Sequence, residues 1–347
     1  MEVGLNWCQK FDRYFRSREN DQVIKLLSLF SGIGAFEKAM RNLAIDHETV
    51  AFSEIDIDAE NAYCAMHNMD KLKNIGDISV VNVASIPDCD LMTWGFPCQD
   101  ISVAGQHQGL GEGTRSGLYQ HGLRILDAKR PKHSIIENVK NLVGKKYKDK
   151  FDTLLSDLSN LGYTSSWAVL NAKDYGVPQN RERVFIVSRL GGGDFSFPPP
   201  RPSMASLTNL LEEAPERYRI KSPKVDSFIE SRFGVDDPKP ENRLLQIGYL
   251  GKNRQCDRVY SPNGTSVTLC GNGGGWGAKT GLYLIDGHIR RLTPRECYRL
   301  MGFDDSDFEA AVWSGSNTDV KLYKQAGNSI AVPVVQAILS VLLGVKS

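Results

Sequence analysis

The chain has 347 residues, 41% of them hydrophobic and 24% charged, enough to bury a core in one large domain plus a smaller one, which excludes disorder as the default. Its formal charge of +1 disfavours binding of nucleic acid by bulk electrostatic attraction, which needs a clear basic excess. The seven cysteines are scattered and form no CxxC pair, so we expect no metal site and a protein of the reducing cytoplasm without a membrane partner.

The N-terminal part of the chain predicts a short helix followed by an α/β domain. Residues 1–22 mix aromatic and charged residues at helical spacing, so we expect an amphipathic helix in an N-terminal extension, 1–24. Strand-like and helix-like segments then alternate, which is typical of a mostly parallel sheet wound with helices. The predicted strands are VIKLLSLF, TVAFSE, DLMTWG, HSIIEN, SWAVLN and RVFIVS, and the first predicted helices are GAFEKAMRNLA and DAENAYCAMHN.

A break in this pattern after Arg189 predicts a domain boundary. The segment GGGDFSFPPPRPS is rich in glycine and proline, which cannot continue a strand or a helix. Residues 190–289 are irregular and rich in turns, whereas 290–347 again contain helix-like and apolar segments of the kind seen before Arg189. We therefore expect a first domain over 25–189, an inserted second domain over 190–289, and a C-terminal segment that rejoins the first domain.

The segment LLSLFSGIGAFEKAM predicts a nucleoside site at a strand–turn–helix junction. Gly32 and Gly34 would let the backbone approach a ligand at the helix N-terminus. Glu37 stands at the third glycine position of the dinucleotide fingerprint, which favours a smaller nucleoside over a pyrophosphate ligand. Glu54 ends the next strand, where a carboxylate can accept from ribose hydroxyls. Asp77 follows in a segment that could contact adenine or form a surface turn.

Candidate catalytic residues follow the later strands. Cys98 comes just after DLMTW, at the sheet edge where α/β folds bind ligands, and Pro97 would stiffen its loop. Glu137 ends the next strand and so shares this edge, where its carboxyl group could protonate a ring nitrogen. We expect Asn138 to brace the loop around Pro97.

Three polar residues in the segment QNRER precede the last predicted strand. Gln179 comes first, and Arg181 and Arg183 are two positions apart, on one face if the strand starts early. Contact with a phosphate and orientation of a carboxylate are natural roles for them.

Six motifs in this order resemble those of the DNA cytosine-C5 methyltransferases. They are FSGIGAFE, GFPCQ, ENV, QNRER, RRLTPRE and QAGNSIAVP, and the resemblance covers 26–189 and 290–343. It implies a Rossmann-like, S-adenosylmethionine-dependent domain and a smaller, irregular, β-rich target-recognition domain. It also implies methyl transfer to carbon 5 of a flipped cytosine in a specific short sequence of double-stranded DNA.

The resemblance also implies residue roles. Cys98 would attack cytosine C6, Glu137 would contact N3 and the exocyclic amine, and Arg183 would support that carboxyl group. The implied catalytic set is Cys98, Glu137, Arg181, Arg183 and Asn138. The implied cofactor set is Phe30, Gly32, Ile33, Gly34, Glu54, Ile55, Asp77, Ile78, Pro97, Leu118, Asn328 and Ser329. The implied DNA-contacting set is Gln99, Ser102, Arg115, Gln179, Arg254, Gln255 and Arg258.

Two features of the chain leave alternatives open, and a third departs from the family pattern. Residues 103–117 contain five glycines, typical of a mobile lid or of a plain flexible loop. The glycine-rich segment around Arg258 could read guanine edges or be a solvated basic surface. Ile55 stands where the family often has an aromatic residue.

Alternatives for function and partners also remain. A tRNA cytosine-5 methyltransferase and a catalytically silent DNA-binding homologue are the alternative functions. We expect a monomer, and a restriction endonuclease of the same system is an open partner that need not form a complex with it.

Overall fold

The computed structural model describes residues 23–97, 117–201, 206–232, 234–315 and 318–345. Several predicted features lie outside these residues. They are the N-terminal helix over 1–22, nearly all of the 103–117 loop, Cys98, Gln99, Ser102 and Arg115.

The described chain alternates strands and helices as the sequence predicts. Its strands are β1 (Ile24–Leu29), β2 (His47–Ser53), β3 (Leu91–Trp94), β4 (His133–Val139), β5 (Tyr163–Asn171), β6 (Glu182–Leu190), β7 (Gln246–Tyr249), β8 (Arg258–Tyr260), β9 (Leu282–Ile285) and β10 (His288–Arg290). Its α-helices are α1 (Ala35–Asn42), α2 (Ile57–His67), α3 (Leu118–Lys129), α4 (Lys148–Asn160), α5 (Pro223–Ser231), α6 (Pro294–Met301), α7 (Asp305–Trp313), α8 (Asp319–Asn328) and α9 (Val332–Leu342).

The first six strands form one sheet in the order β2-β1-β3-β4-β6-β5. β1 pairs in parallel with β2 and β3, and β3 pairs in parallel with β4. β6 is antiparallel to both β4 and β5, so the sheet is mixed, with three parallel pairings and two antiparallel ones. The chain between β5 and β6 is too short for a crossover helix, so β6 returns in the opposite direction. The start of β6 therefore meets the carboxyl end of β4.

Alternating side chains of β1 build the core on both faces of this sheet. Leu26 packs on one face among residues of α1 and α9, whereas Leu27 and Leu29 pack on the other face with residues of α3 and α4. This is the period of two that a doubly covered strand requires. The sheet is thus a layer between helices, with its strand ends free to form a site.

Helices α8 and α9 fall within a stretch, Asp319–Leu342, that has the length and apolar composition to cross a membrane. Of its apolar window, 67% is buried inside the protein. The bend at Ser329 also separates the two helices. Burial of this degree is what a core helix of a globular fold shows.

A second, four-stranded sheet has the order β10-β9-β8-β7. It lies almost entirely within the 190–289 region and has a small apolar cluster of its own, which includes Val225, Val259 and Leu282. Other residues of the same region, such as Tyr260 and Tyr283, join the larger core of the first sheet. The region therefore packs firmly against the main layer.

Candidate active site

A cavity of about 440 Å³ opens at the carboxyl ends of β1 to β4. The strand order reverses between β1 and β3, and the crevice outside such a reversal is where open α/β sheets bind ligands. The sequence-predicted residues that line it are Phe30, Gly32, Ile33, Glu54, Ile55, Pro97, Leu118, Glu137, Asn138, Arg181, Arg183 and Asn328. Most of the described catalytic and cofactor residues of the prediction thus come together at one place.

The turn after β1 is fixed by the carboxylate of Glu54. Gly32 N donates to Glu54 Oε2 at 2.9 Å, and Ile55 N and Asp56 N donate to Oε1 at 2.9 and 2.8 Å. Phe30 and Gly32 both have a φ of 55°, the left-handed conformation that this sharp turn needs. Burial raises the pKa of Glu54, although the backbone donors oppose the shift.

The segment that leads to Cys98 is held by Asn138. Its Nδ2 donates to Phe96 O at 3.0 Å, and its Oδ1 accepts from Val139 N at 2.9 Å. Asn138 is 3% exposed, so this bridge between β3 and β4 is shielded from water. The backbone direction at Pro97 is therefore set by the strand below it.

Glu137 and Arg183 form an ion pair at the cavity wall, with Arg183 Nε 3.1 Å from Glu137 Oε1. The side chains are 12% and 18% exposed. Burial raises the pKa of Glu137, and the positive charges of Arg183 and Arg181 oppose that rise. The burial and the two arginines therefore act on the pKa of this carboxyl group in opposite directions, with burial the larger effect.

Arg181 lines the cavity but serves as a structural junction. Its guanidinium donates to Leu269 O at 3.0 Å, to Gly327 O at 3.0 Å and to Ser329 O at 2.7 Å. Burial, assisted by the nearby charge of Arg183, lowers its pKa to about 9. Backbone carbonyls thus occupy both terminal nitrogens, while the buried Nε has no hydrogen-bond partner among the described residues. The phosphate contact and the catalytic role of Arg181 stay predictions.

Gln179 does not face a surface that DNA could reach. The residue is fully buried, and its amide donates to Leu300 O at 2.9 Å and accepts from Leu269 N at 3.2 Å. The expected DNA contact is therefore wrong. Gln179 instead joins the segment before β6 to α6 and to the second region.

Four predicted cofactor residues do not line the cavity. A Cβ on Gly34 would lie 2.2 Å from His67 Nε2, so this glycine serves the packing of α1 on α2. Ile78 is buried in the core, and the carbonyl of Ser329 accepts from Arg181. Asp77 caps a turn through Ser79 N at 2.8 Å. Cofactor contact by these four residues stays a prediction, and in Asp77 only Oδ1 is engaged by this turn.

The structure adds a charged rim that the sequence analysis missed. Lys321 Nζ lies 2.8 Å from Asp58 Oδ1, and Lys324 pairs with Asp56, so α8 is tied to the start of α2 across the cavity mouth. Gln325 Nε2 also donates to Asp58 O at 2.9 Å. The sequence could have indicated Asp56 as an N-cap residue, because an aspartate precedes a helical segment. It could not indicate the ion pairs, because each lysine is more than 260 positions away from its aspartate.

The three described recognition residues lie around the start of β8. Arg254 and Gln255 are exposed, and Arg254 Nε is held by Asp257 Oδ2 at 2.7 Å. Arg258 is half-buried, with its Nε donating to Asn253 Oδ1 at 2.9 Å. The structure thus places these side chains together at one end of the second sheet.

Comparison with known families decides the assignment, because the C-5 cytosine-specific DNA methylase family matches residues 24–344. The chain belongs to this family. The methylase is therefore an S-adenosylmethionine-dependent transferase that methylates carbon 5 of cytosine in DNA.

Curated relatives cover nearly the whole methylase. Type II methyltransferase M2.ScrFI of Lactococcus lactis subsp. cremoris is 34% identical, over 91% of this chain and 98% of the relative. Type II methyltransferase M.HhaI of Haemophilus parahaemolyticus is also 34% identical, over 91% and 93%. Orphan methyltransferase M.SPBetaI of Bacillus phage SPbeta is 30% identical, over 92% and 97%.

Solved structures share the fold of the methylase. S. pombe Dnmt2 methyltransferase aligns with a TM-score of 0.67 at 22% identity, over 92% of this chain and 98% of that one. Entamoeba histolytica methyltransferase EhMeth aligns with a TM-score of 0.70 at 18% identity, over 93% and 99%. At these identities the likeness concerns the mixed α/β architecture alone.

Proposed function

We propose that the methylase modifies a flipped cytosine in a specific short duplex sequence, with Cys98 as the covalent nucleophile. The observation that carries this proposal is the Glu137–Arg183 pair at the cavity wall, beside the segment that Asn138 fixes just before Cys98. Cys98 itself lies outside the described residues. A buried carboxyl group, a bound guanidinium and a thiol, which Cys98 would supply, are the groups that activation of a pyrimidine ring needs.

The chemistry assigns each group a step. The Cys98 thiolate forms a bond to C6, the C5–C6 π pair moves to C4–C5, the C4–N3 π pair moves to N3, and Glu137 supplies a proton there. Carbon 5 is thereby nucleophilic and would take the methyl group as the bond from that methyl to the sulfur of the donor breaks and the C4–N3 double bond forms again. Loss of the C5 proton to solvent then restores the double bond as the sulfur–C6 bond breaks and N3 gives up its proton. Arg183 keeps the Glu137 carboxyl group directed at the ring.

The cavity fits S-adenosylmethionine, which supplies a methyl group on a positively charged sulfur. Glu54, fixed by three backbone donors, would accept from the ribose hydroxyls. Ile55 is 77% exposed at the rim, an apolar surface that an adenine ring would cover. Phe30 and Gly32 would face the methionine end, and the free oxygen of Asp77 would accept from the adenine amine.

Target recognition is proposed for the 190–289 region, inserted between the catalytic parts 25–189 and 290–347. Its basic end at Arg254, Gln255 and Arg258 supports a DNA-reading role. Gln99, Ser102 and Arg115 would add contacts from the loop that follows Cys98. We further propose a cytoplasmic monomer that functions with or without a restriction endonuclease of the same system.

The experiment that tests this proposal is adduct trapping. Long duplex DNA made with 5-fluorodeoxycytidine should form a covalent complex with the methylase when S-adenosylmethionine is present, because fluorine cannot leave as the proton does. Peptide mapping should place the adduct on Cys98, and Cys98→Ala should abolish it while Cys64→Ala does not.

The same assay separates the alternatives. Trapping on fluorinated tRNA but not on DNA would favour the tRNA enzyme. Binding of DNA without any adduct would favour the silent homologue. An adduct on another cysteine would overturn the role of Cys98.

A further inference from the structure

A run of lysines begins where β4 ends, and the chemistry proposed above does not use it. Residues 140–150, called here the lysine segment, contain five lysines and one aspartate, a local formal charge of +4 against +1 for the whole chain. The lysines are Lys140, Lys145, Lys146, Lys148 and Lys150. This segment holds the local charge that the near-neutral total conceals.

The lysine segment starts at the cavity. Val139 lines the cavity and Lys140 follows it directly. Lys140 Nζ lies 2.9 Å from Glu182 Oε1, at the first residue of β6 and next to Arg183. The charges therefore extend outward from the edge of the sheet that carries the catalytic carboxyl group.

Apolar anchors fix the backbone of the lysine segment. Leu142 is 2% exposed and Phe151, just beyond the segment, is 4% exposed. Tyr147 packs against the same core cluster, and Lys146 Nζ lies 5.1 Å from the centre of its ring. Basic side chains on a rigid backbone lose less conformational entropy on binding than those of a flexible tail. The segment is thus a preorganised positive surface.

The existing ion pairs leave this surface available. Lys145 and Lys146 are exposed and form no ion pair with any described residue. Lys148 pairs with Asp152 at 2.7 Å and Lys140 with Glu182, both as exposed pairs. Exposed pairs contribute about 0 to 1 kcal/mol, so a phosphate can displace the acid at little cost.

We propose that the lysine segment binds the phosphate backbone of duplex DNA outside the recognition sequence. This inference rests on the proposed function, since it assumes that the cavity faces DNA. Lysine binds phosphate as a point charge without reading bases, so the segment would add affinity for any duplex and register the DNA against the catalytic edge. Flanking DNA would then bind alongside the bases that the 190–289 region reads.

The test compares K145Q/K146Q with the control K25Q/K132Q. Lys25 and Lys132 are exposed and lie at the amino ends of β1 and β4, the opposite edge of the same sheet. Both double variants remove two positive charges. Thermal unfolding should show that both are folded.

Binding is measured by fluorescence anisotropy on a 40-bp duplex of random sequence, at several salt concentrations. For K145Q/K146Q we expect weaker binding and a salt dependence of log Kd that is shallower by about 1 to 2, the scale of one or two lost phosphate contacts. K25Q/K132Q should match the parent protein.

Two outcomes would overturn the inference: an unchanged slope in K145Q/K146Q, or an equal loss in both variants, which would reflect net charge alone. Failure of the proposed function shows separately, as the absence of any adduct with fluorinated DNA in the parent protein. The salt slopes remain measurable in that case, so the two failures are distinguishable.

Discussion

Arg183 Nε lies 3.1 Å from Glu137 Oε1 because β6 runs antiparallel to β4. In this register Arg183 is opposite Val139, so the start of one strand meets the end of the other at the cavity. A parallel β6 would have placed Arg183 at the far edge of the sheet. The reversal of one strand thus brings the charge pair together.

The Glu137–Arg183 ion pair predicts that substitutions of its two members reduce methyl transfer to different extents. Glu137→Gln removes the proton donor while keeping the shape, so methyl transfer should fall by about 10² to 10⁴, the usual contribution of a positioned general acid. Arg183→Lys should cost less, because a lysine keeps the charge but loses the planar guanidinium. Steady-state kinetics on plasmid DNA check this. Equal turnover of Glu137→Gln and the parent would contradict the role of Glu137.

The turn carboxylate predicts a binding defect. Glu54→Ala should weaken binding of S-adenosylmethionine by about 1 to 3 kcal/mol, the scale of lost charge-assisted hydrogen bonds to the ribose. Glu54→Gln should lose less, since its amide oxygen still accepts. Calorimetry measures both, with the exposed Glu48→Ala as a control on the neighbouring part of the strand. Unchanged affinity in Glu54→Ala would place the ribose elsewhere.

His67 predicts a loss of stability in mild acid. Burial is the main cause that lowers its pKa from 6.5 to about 4, and its Nε2 lies 3.0 Å from Ile33 O. Between pH 6.5 and 4 His67 is protonated in the unfolded chain but neutral in the folded protein. The neutral His67 therefore contributes roughly 2 to 4 kcal/mol to the free energy of unfolding above pH 6.5, and this contribution is lost as the pH falls towards 4.

Urea unfolding between pH 4 and 7 measures this effect. His67→Gln should flatten the dependence of the free energy of unfolding on pH, whereas the exposed His288→Gln should not. Part of the slope should remain, because the pKa of His133 is also lowered to about 4, mainly by burial. A slope in His67→Gln as steep as in the parent would contradict the assignment.

Close backbone contact between two glycines predicts a structural defect. A Cβ on Gly327 would lie 2.2 Å from Gly271 N, a backbone atom that cannot move aside cheaply. Gly327→Ala should lower the free energy of unfolding by about 1 to 3 kcal/mol, the usual cost of overpacking. Gly274→Ala is the control, since its Cβ would meet no atom within 4 Å. Denaturant titration should separate the two, and equal stabilities would refute the contact.

Local patterns predicted the parts of the fold and site that depend on neighbouring residues. The six strands of the main sheet and the loop glycine at Gly32 follow from apolar runs and turn chemistry. The position of Glu137 at the cavity follows from its place at the end of a strand. Such features need no knowledge of distant contacts.

The features that were missed depend on long-range packing. The direction of β6 is set by its pairing with β4, which the run RVFIVS does not encode. Arg181 and Gln179 resemble surface residues in sequence, yet both are buried in the fold. Arg181 donates to the carbonyl oxygens of Leu269 and Gly327, and Gln179 donates to that of Leu300. The salt bridge between Lys321 and Asp58 likewise joins two helices that only the folded chain brings together.

The last prediction concerns sequence recognition by Arg258. Its Nε is held by Asn253 Oδ1 at 2.9 Å, and we expect its terminal nitrogens to make a two-pronged contact with a guanine. Arg258→Ala should lose roughly 1 to 3 kcal/mol of discrimination at one base pair next to the target cytosine, while methylation of other sites survives. Arg254→Ala, which removes the neighbouring arginine that Asp257 holds at 2.7 Å, is measured beside it, and a loss at a different base pair would show that both arginines read the site. Bisulfite sequencing of plasmid DNA, methylated at two salt concentrations, measures preference at every position. A uniform loss across all sequences with a shallower salt dependence would mean that Arg258 binds phosphate instead.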